Sequence, residues 1–424
     1  MVTFASPLPL RPRTSIGLLT GASLLLLFVL VVLWRQKKLS TPPTQVSDWF
    51  VMGFALANAC SLLGAPHVYE LTSFRLLLSA VMQYAAVRFL QISKKEQKII
   101  ILTLGMTTVS IALMSLFQVA FRDQAILLAK KFLFGDAAFS LSWDLARGRA
   151  PHWGTIVVSF PFFIMSAILF GKEKNRLLQA YIQAGIFLIP FSFIVSNFRW
   201  LTLCFFIGLG LFAYPLMKKR LVSFVWIKKI LFMSSAAILF GSLLASLVFQ
   251  YNLIDRFLLK ERQRDVVFTL GRTFLYQQAI SAFFSSPVIG IGTGNYRYVI
   301  ERPTIVHFYD IREEDGENNV DGTQRETVSS HNDALTLLAE TGLLGALMFI
   351  GLNVAVLSRL FFVFRQSFKT NDISTIVYPL GYIVSLIMYY AIGIFENTTP
   401  NIIIYVFFLY ASSITWFSQQ LPRK

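Results

Sequence analysis

Two stretches, PVIGIGTGNY at residues 287–296 and SHNDALTLLAETGLLG at residues 330–345, belong to the one long polar interruption of an otherwise apolar chain. Apolar runs near the length of a bilayer crossing flank this interruption on both sides. With 55% hydrophobic and 14% charged residues, the 424-residue sequence predicts an all-α polytopic membrane protein. We expect the chemistry of the chain to lie in the polar interruption or to face it.

The apolar runs predict about eleven membrane helices. They cover roughly residues 15–34, 46–65, 72–91, 98–121, 153–170, 177–196, 199–217, 227–250, 334–358, 375–395 and 401–418. Basic residues gather in every second loop, and the positive-inside rule makes that side the cytoplasm. The net charge of +16 is therefore a topology signal, and no nucleic-acid partner is expected. Arg11 and Arg13 would lie on the opposite side, so twelve spans is the alternative count.

The predicted spans divide the chain into three parts. Residues 1–249 hold the N-terminal membrane helices, residues 250–333 form a large extracytoplasmic loop, and residues 334–424 hold the C-terminal membrane helices. Segment 121–152 mixes basic and apolar side chains, which predicts an amphipathic helix at the membrane surface. A twelfth span is the alternative interpretation of that segment. Both cysteines lie in apolar runs and indicate neither a disulfide framework nor a metal site.

The start of the ninth predicted span holds the candidate proton acceptor, His331. Ser330 and Asp333 have the spacing of a capping box, which predicts a defined helix start beside this histidine. A histidine fixed at the membrane edge can accept a proton from a hydroxyl group near neutral pH. The alternative is an interfacial side chain without a catalytic role. Glu340 lies two turns further along the same span, where an acid needs a partner or a function.

Both quoted stretches contain several glycines. Gly290, Gly292 and Gly294 form a G-x-G-x-G pattern, but no strand precedes it and no phosphate-binding fingerprint follows, so a nucleotide site is not expected. The pattern predicts a tight turn that returns the chain towards the bilayer. In the second stretch, Gly342 and Gly345 predict close helix packing or a bend.

Arginines on the predicted extracytoplasmic face form a candidate phosphate site. Arg272 begins an amphipathic helical segment, where the guanidinium fork and free helix N–H groups both suit a phosphate. Arg199 begins the seventh predicted span and Arg75 lies near the same face, and a charge in either place needs an anion or an acidic partner. Arginines that snorkel to the interface are the alternative. Converging guanidinium groups can replace a divalent cation beside a leaving diphosphate, so we expect neither a metal nor a cofactor.

Three blocks in this order resemble the O-antigen ligase and O-antigen polymerase superfamily of bacterial envelope glycosyltransferases. They are residues 196–199 (SNFR), residues 271–292 (from Gly271-Arg272 to Gly290-Ile291-Gly292) and residues 331–345 (from His331-Asn332 to Gly345). The resemblance implies a GT-C-like membrane fold with a large, partly helical periplasmic loop. It also implies a glycan donor on undecaprenyl diphosphate, used at the periplasmic face of the bacterial inner membrane.

The resemblance implies roles for individual residues of this chain. His331 matches the histidine proposed as the base that activates an acceptor hydroxyl, and Arg199 and Arg272 match the arginines that bind the diphosphate. The further implied residues are Arg75, Arg147 and Arg149 as diphosphate contacts, with Asn332 and Glu340 in support.

The implied reaction transfers a glycan to a hydroxyl group with inversion, most simply joining O-antigen to lipid A-core oligosaccharide. A repeat-unit polymerase and a protein O-oligosaccharyltransferase are the alternatives within the family. A transporter of lipid-linked glycans is the alternative from another class, and it predicts basic residues spread through the membrane depth. The expected partners are the lipid-linked donor, a glycan or lipid A-core acceptor, and membrane lipids.

Overall fold

The computed structural model describes most of the apolar chain and two parts of the polar interruption. The described residues are 44–65, 72–89, 94–121, 153–171, 175–195, 199–249, 273, 275–296, 332–369, 372–395, 406–413 and 415. Nearly all of them are helical, and no strand occurs within these ranges. The all-α prediction is therefore confirmed.

The described helices are numbered in chain order. They are α1 (Val46–Gly64), α2 (Thr72–Phe89), α3 (Lys94–Ala120), α4 (Trp153–Phe170), α5 (Arg176–Val195), α6 (Arg199–Lys218), α7 (Phe224–Phe249), α8 (275–285), α9 (Asp333–Ser367), α10 (Ile373–Phe395) and α11 (406–413). Most bounds lie within a few residues of the predicted spans. α9 is the exception, because it continues to Ser367 where the apolar pattern predicts an end at 358. The predicted span 15–34 lies outside the described residues.

Length and apolarity make several of these helices able to cross a membrane. By those two criteria, five described segments qualify: Val46–Gly64, Lys95–Phe117, Phe224–Leu243, Asp333–Ser367 and Ile373–Ile394. Large apolar side chains on their outer faces are exposed, among them Phe232 at 75% and Leu239 at 71%. Exposed apolar side chains on long helices are what a lipid-facing surface requires. The chain is a multi-pass membrane protein.

The helices packed against α9 show how the bundle is oriented. α1 and α9 are antiparallel, because Gly53 of α1 meets Met348 while Phe50, nearer the start of α1, meets Gly351. α9 and α10 are antiparallel as well, since Gly393 at the end of α10 lies against Asp333 at the start of α9. We call the end of the bundle that holds the start of α9 the upper end, and the opposite end the lower end.

Charge is divided unevenly between the two ends. Lys219, which follows α6, lies 4.9 Å from the ring centre of Phe368 at the end of α9, so both elements finish at the lower end. Most basic residues of the described loops and helix termini gather there. They include Arg88, Lys95, Lys98, Arg176, Lys218, Lys219, Arg220, Lys228, Lys229, Arg359, Arg365 and Lys369. This distribution agrees with the alternating loop charge that predicts topology.

Polar side chains also join the helices at mid-depth. Asn353 of α9 accepts hydrogen bonds from the phenols of Tyr390 in α10 and Tyr410 in α11, and the two phenol oxygens lie 2.7 Å apart. The amide of Asn353 donates to the carbonyl of Phe349 at 2.7 Å. In an apolar surrounding a polar side chain must find a partner within the protein, so this cluster fixes the register of three helices.

A buried ion pair closes the lower end of the bundle. The guanidinium of Arg88 in α2 donates from Nε and Nη2 to the two carboxylate oxygens of Asp48 in α1, at 2.9 and 3.0 Å. Their side chains are 4% and 21% exposed. Tyr84 donates to the same carboxylate at 2.6 Å, and Arg359 of α9 donates to Gln45 just before α1. The network therefore joins α1, α2 and α9.

Replacing Arg88 with methionine is expected to destabilise the bundle by about 1–3 kcal/mol, because the partly buried carboxylate of Asp48 loses its cation. Thermal unfolding in detergent measures the effect. Arg365→Met is the matched control, since Arg365 is an exposed arginine of α9. The double variant Arg88→Met/Asp48→Leu should recover most of the loss. Equal midpoints for Arg88→Met and the wild type would show that the ion pair does not support the fold.

Candidate functional site

The helix α9 is broken at Gly342, and other segments of the upper end pack and form hydrogen bonds at this break. Gly342 has φ 62° and ψ −166°, a conformation that only glycine adopts without strain. A β-carbon added at this position would lie 2.4 Å from the carbonyl oxygen of Val288. The sequence predicted packing or a bend at this glycine, and the structure shows a bend. The break separates a short upper segment, 333–341, from a long lower one.

A break at this depth frees backbone groups that lipid cannot satisfy. In an unbroken helix, the N–H groups of Leu343 and Leu344 would donate to the carbonyls of Ala339 and Glu340. The turn formed by residues 287–292, called here the docking turn, supplies new partners for all four groups. Leu343 and Leu344 donate to Pro287 and Val288 at 2.8 and 3.1 Å, and Ile291 and Gly292 donate to Ala339 and Glu340, both at 3.0 Å.

Glycine lets the docking turn come this close. Gly290 has φ 77°, and a β-carbon there would lie 2.3 Å from the carbonyl of Glu340. The predicted tight turn is therefore observed, and it docks against the backbone of α9.

Two polar residues of α1 hold the same junction from the other side. The hydroxyl of Ser61 donates to the carbonyl of Glu340, the same oxygen that accepts from Gly292. The hydroxyl of Thr293 donates to Asn58 Oδ1 at 2.7 Å, and both side chains are buried. The N-terminal half of the chain therefore contributes directly to the upper end.

The amphipathic helix α8 packs on the upper segment of α9 through Tyr296. Ala279 and Ala282 form its buried face. Together with Ile291, Tyr296 and Ala339 they make an apolar cluster separate from the main core of the bundle. The N–H of Tyr296 donates to Glu340 Oε1 at 3.3 Å, so Glu340 has a partner in the docked segment.

The upper segment of α9 begins at a cap that differs from the predicted one. Asn332 is the N-cap residue, and its Oδ1 accepts from the N–H of Leu335 at 3.0 Å. The capping box predicted from Ser330 and Asp333 is wrong, because the cap lies two residues after Ser330. The amide of Asn332 also donates to the carbonyl of Ile394 at the end of α10, at 3.4 Å. The residue that directly follows His331 is thus held on two sides.

The predicted arginines of the described helices lie at the upper end. Arg75 is exposed near the start of α2, and a rise of 1.5 Å per residue puts its backbone about 20 Å from that of Arg88 at the lower end. Arg199 is the first residue of α6, which finishes at the lower end and so begins at the upper one. His331, Arg272, Arg147 and Arg149 lie outside the described residues, and their roles stay predictions.

The family comparison bears on this end of the molecule. Residues 184–350 match the family model described as O-antigen ligase. This segment is similar to the O-antigen ligases. The resemblance to the O-antigen ligase and polymerase superfamily is thereby confirmed. The match covers fewer than half of the 424 residues, and no curated protein matches the chain.

The matched residues 184–350 include the break of α9 and the docking turn but not α1. Asn58, Ser61, Thr293 and Tyr296 were not singled out from the sequence. For Asn58 and Ser61 a signal was available, because two polar residues three apart lie on one face of an otherwise apolar helix. What they bind was not predictable, since their partners lie far along the chain.

Substituting Gly342 with alanine is expected to cost about 1–3 kcal/mol in backbone strain, with a further loss from the clash with Val288. We expect lower membrane abundance and a lower unfolding midpoint in detergent. Gly210→Ala is the matched control, because a β-carbon at Gly210 meets nothing within 4 Å. Wild-type abundance and midpoint in Gly342→Ala would contradict a glycine-specific break.

Proposed function

We propose that the chain transfers a glycan from a polyprenyl diphosphate carrier to an acceptor hydroxyl at the outer surface of the bacterial inner membrane. The observation that carries the proposal is the set of residues that lie at the upper end of the bundle. There the start of α9, next to His331, lies at the same end of the bundle as Arg75 and the start of α6 at Arg199. The similarity of residues 184–350 to the O-antigen ligase family supports glycan transfer as the reaction.

The charge of the lower end supports the proposed orientation. Short loops rich in Lys and Arg remain in the cytoplasm, which assigns the upper end to the periplasm. A carrier lipid embedded in the membrane would then present its diphosphate at the level of α8 and of the start of α6. The donor we propose is a glycan on undecaprenyl diphosphate, and the acceptor we propose is lipid A-core oligosaccharide.

The proposed step needs one base and a set of cations. His331 takes the proton of the acceptor hydroxyl while the oxygen attacks the anomeric carbon of the sugar attached to the diphosphate. The bond from that carbon to the diphosphate oxygen breaks, and the diphosphate leaves with the electron pair. Arg272 and Arg199 stabilise its charge, with Arg75, Arg147 and Arg149 as further contacts. A single displacement inverts the anomeric centre.

Replacing His331 with alanine or glutamine is expected to lower the transfer rate about 100-fold or more, because general-base catalysis contributes on that order. Transfer by purified protein from a lipid-linked donor measures the rate, with and without EDTA. The matched control is His307→Ala, which removes another histidine of the 250–333 loop. Wild-type transfer in His331→Gln would overturn the role of His331 as the base, and a strict requirement for added Mg²⁺ would overturn the arginine mechanism.

Deleting the gene is expected to leave lipid-linked O-antigen polymer that is not joined to lipid A-core, because ligation is the proposed step. Gel analysis of lipopolysaccharide and of undecaprenyl-linked glycans measures both pools. Lipid A-core that carries a single repeat unit would instead identify a polymerase. Unchanged glycolipids with loss of protein glycosylation would identify a protein O-oligosaccharyltransferase.

A further inference from the structure

We propose that Tyr296 is a positioning residue that holds α8 against the upper segment of α9, the two helices that follow Arg272 and His331 in the sequence. The inference rests on the function proposed above. Arg272 comes three residues before the start of α8, and His331 comes directly before the cap of α9. In the proposed reaction, Arg272 and His331 act on opposite sides of one sugar carbon. Tyr296 connects the helices.

Two hydrogen bonds make this connection. The phenol of Tyr296 donates to the carbonyl of Leu275, the first residue of α8, at 2.7 Å. The backbone N–H of Tyr296 donates to Glu340 Oε1 in the upper segment of α9 at 3.3 Å. The side chain is only 2% exposed, so both bonds are shielded from competing water. One residue therefore ties the start of α8 to the helix that begins beside His331.

Packing gives the connection its rigidity. The apolar cluster between the helices consists of Ala279 and Ala282 from α8, Ala339 from α9, and Ile291 and Tyr296. Tyr296 is the largest member, and the alanines permit a close approach of the two helices. No residue of the described part of α8 belongs to the main core of the bundle, so this part of the helix is held by the small cluster and by the docking turn that follows it.

The protonation state of the phenol suits a permanent connection. Burial raises the pKa of Tyr296, and the negative charge of Glu340 raises the pKa further. The hydroxyl therefore keeps its proton throughout the neutral range and always acts as a donor. A base and a leaving-group cation work together only in a narrow geometry, where a displacement of about 1 Å can lower the rate about 100-fold.

The test is Tyr296→Phe, which removes only the phenol oxygen and leaves the ring in the cluster. We expect kcat for glycan transfer to fall about tenfold or more, while KM for the donor changes less than about twofold, because donor binding retains its arginines. The pH at which the rate falls on the acid side should not move, since the base itself is unchanged. Tyr410→Phe is the matched control, because Tyr410 is a fully buried tyrosine whose phenol is bonded at mid-depth. Its kcat should equal that of the wild type.

A second measurement is independent of activity. Spin labels at Gln277→Cys in α8 and Ala334→Cys in α9, both exposed positions, report the distance between the helices once Cys60 and Cys204 are replaced by alanine. We expect a single distance in the otherwise unmodified protein and a broadened or shifted one when Tyr296→Phe is added. Tyr410→Phe should leave the distance unchanged.

The outcomes separate the two proposals. A wild-type kcat in Tyr296→Phe, or an unchanged spin-label distance, overturns the positioning role. A loss of kcat that only follows a lower unfolding midpoint, equal to that of Tyr410→Phe, also overturns it. A wild-type protein that transfers no glycan overturns the proposed function. In that case a distance that changes in Tyr296→Phe still supports the mechanical connection between α8 and α9.

Discussion

The upper end depends on an exchange of backbone hydrogen bonds between α9 and the docking turn. At Gly342 the helix gives up two internal bonds, and the turn at 287–292 returns four. In lipid there is no water to accept or donate these bonds, and each unsatisfied group costs several kcal/mol. The broken helix and the turn therefore require each other. The docking turn, which belongs to the long polar interruption of the sequence, therefore becomes part of the membrane bundle.

This exchange explains why the residues matched by the O-antigen ligase family are not independent of the rest of the chain. The carbonyl of Glu340 accepts from the docking turn and also from Ser61 of α1, which lies outside the matched residues. Asn58 of the same helix binds the turn through Thr293. The lower end of α1 is tied to α2 and α9 by the Asp48 network. α1 thus contacts α9 along most of its depth, and the polar residues of α1 find their hydrogen-bond partners only in that position.

The sequence predicts the helices well because apolar length is a local property. It predicts less of the site, for a physical reason. Gly290 and Gly342 each signal an unusual backbone, but their pairing joins residues about fifty positions apart, and no periodicity records such a contact. The cap of α9 was misplaced because Ser330 and Asn332 are both good capping residues, and tertiary contact with Ile394 favours the second. The chemical roles of His331 and Arg272 come from resemblance, since isolated residues of these types have several ordinary uses.

The positions of two arginines favour an anion site at the upper end, independently of the resemblance. The positive-inside rule favours basic residues at the lower end, and that end holds most of the described ones. Arg75, and Arg199 as the first residue of α6, belong instead to the upper end, where topology gives a basic residue no advantage. A guanidinium held there needs an anion, because leaving it unpaired beside lipid is costly. In the reaction proposed above, the departing lipid diphosphate would be that anion, and its affinity for the arginines would rise as its negative charge develops.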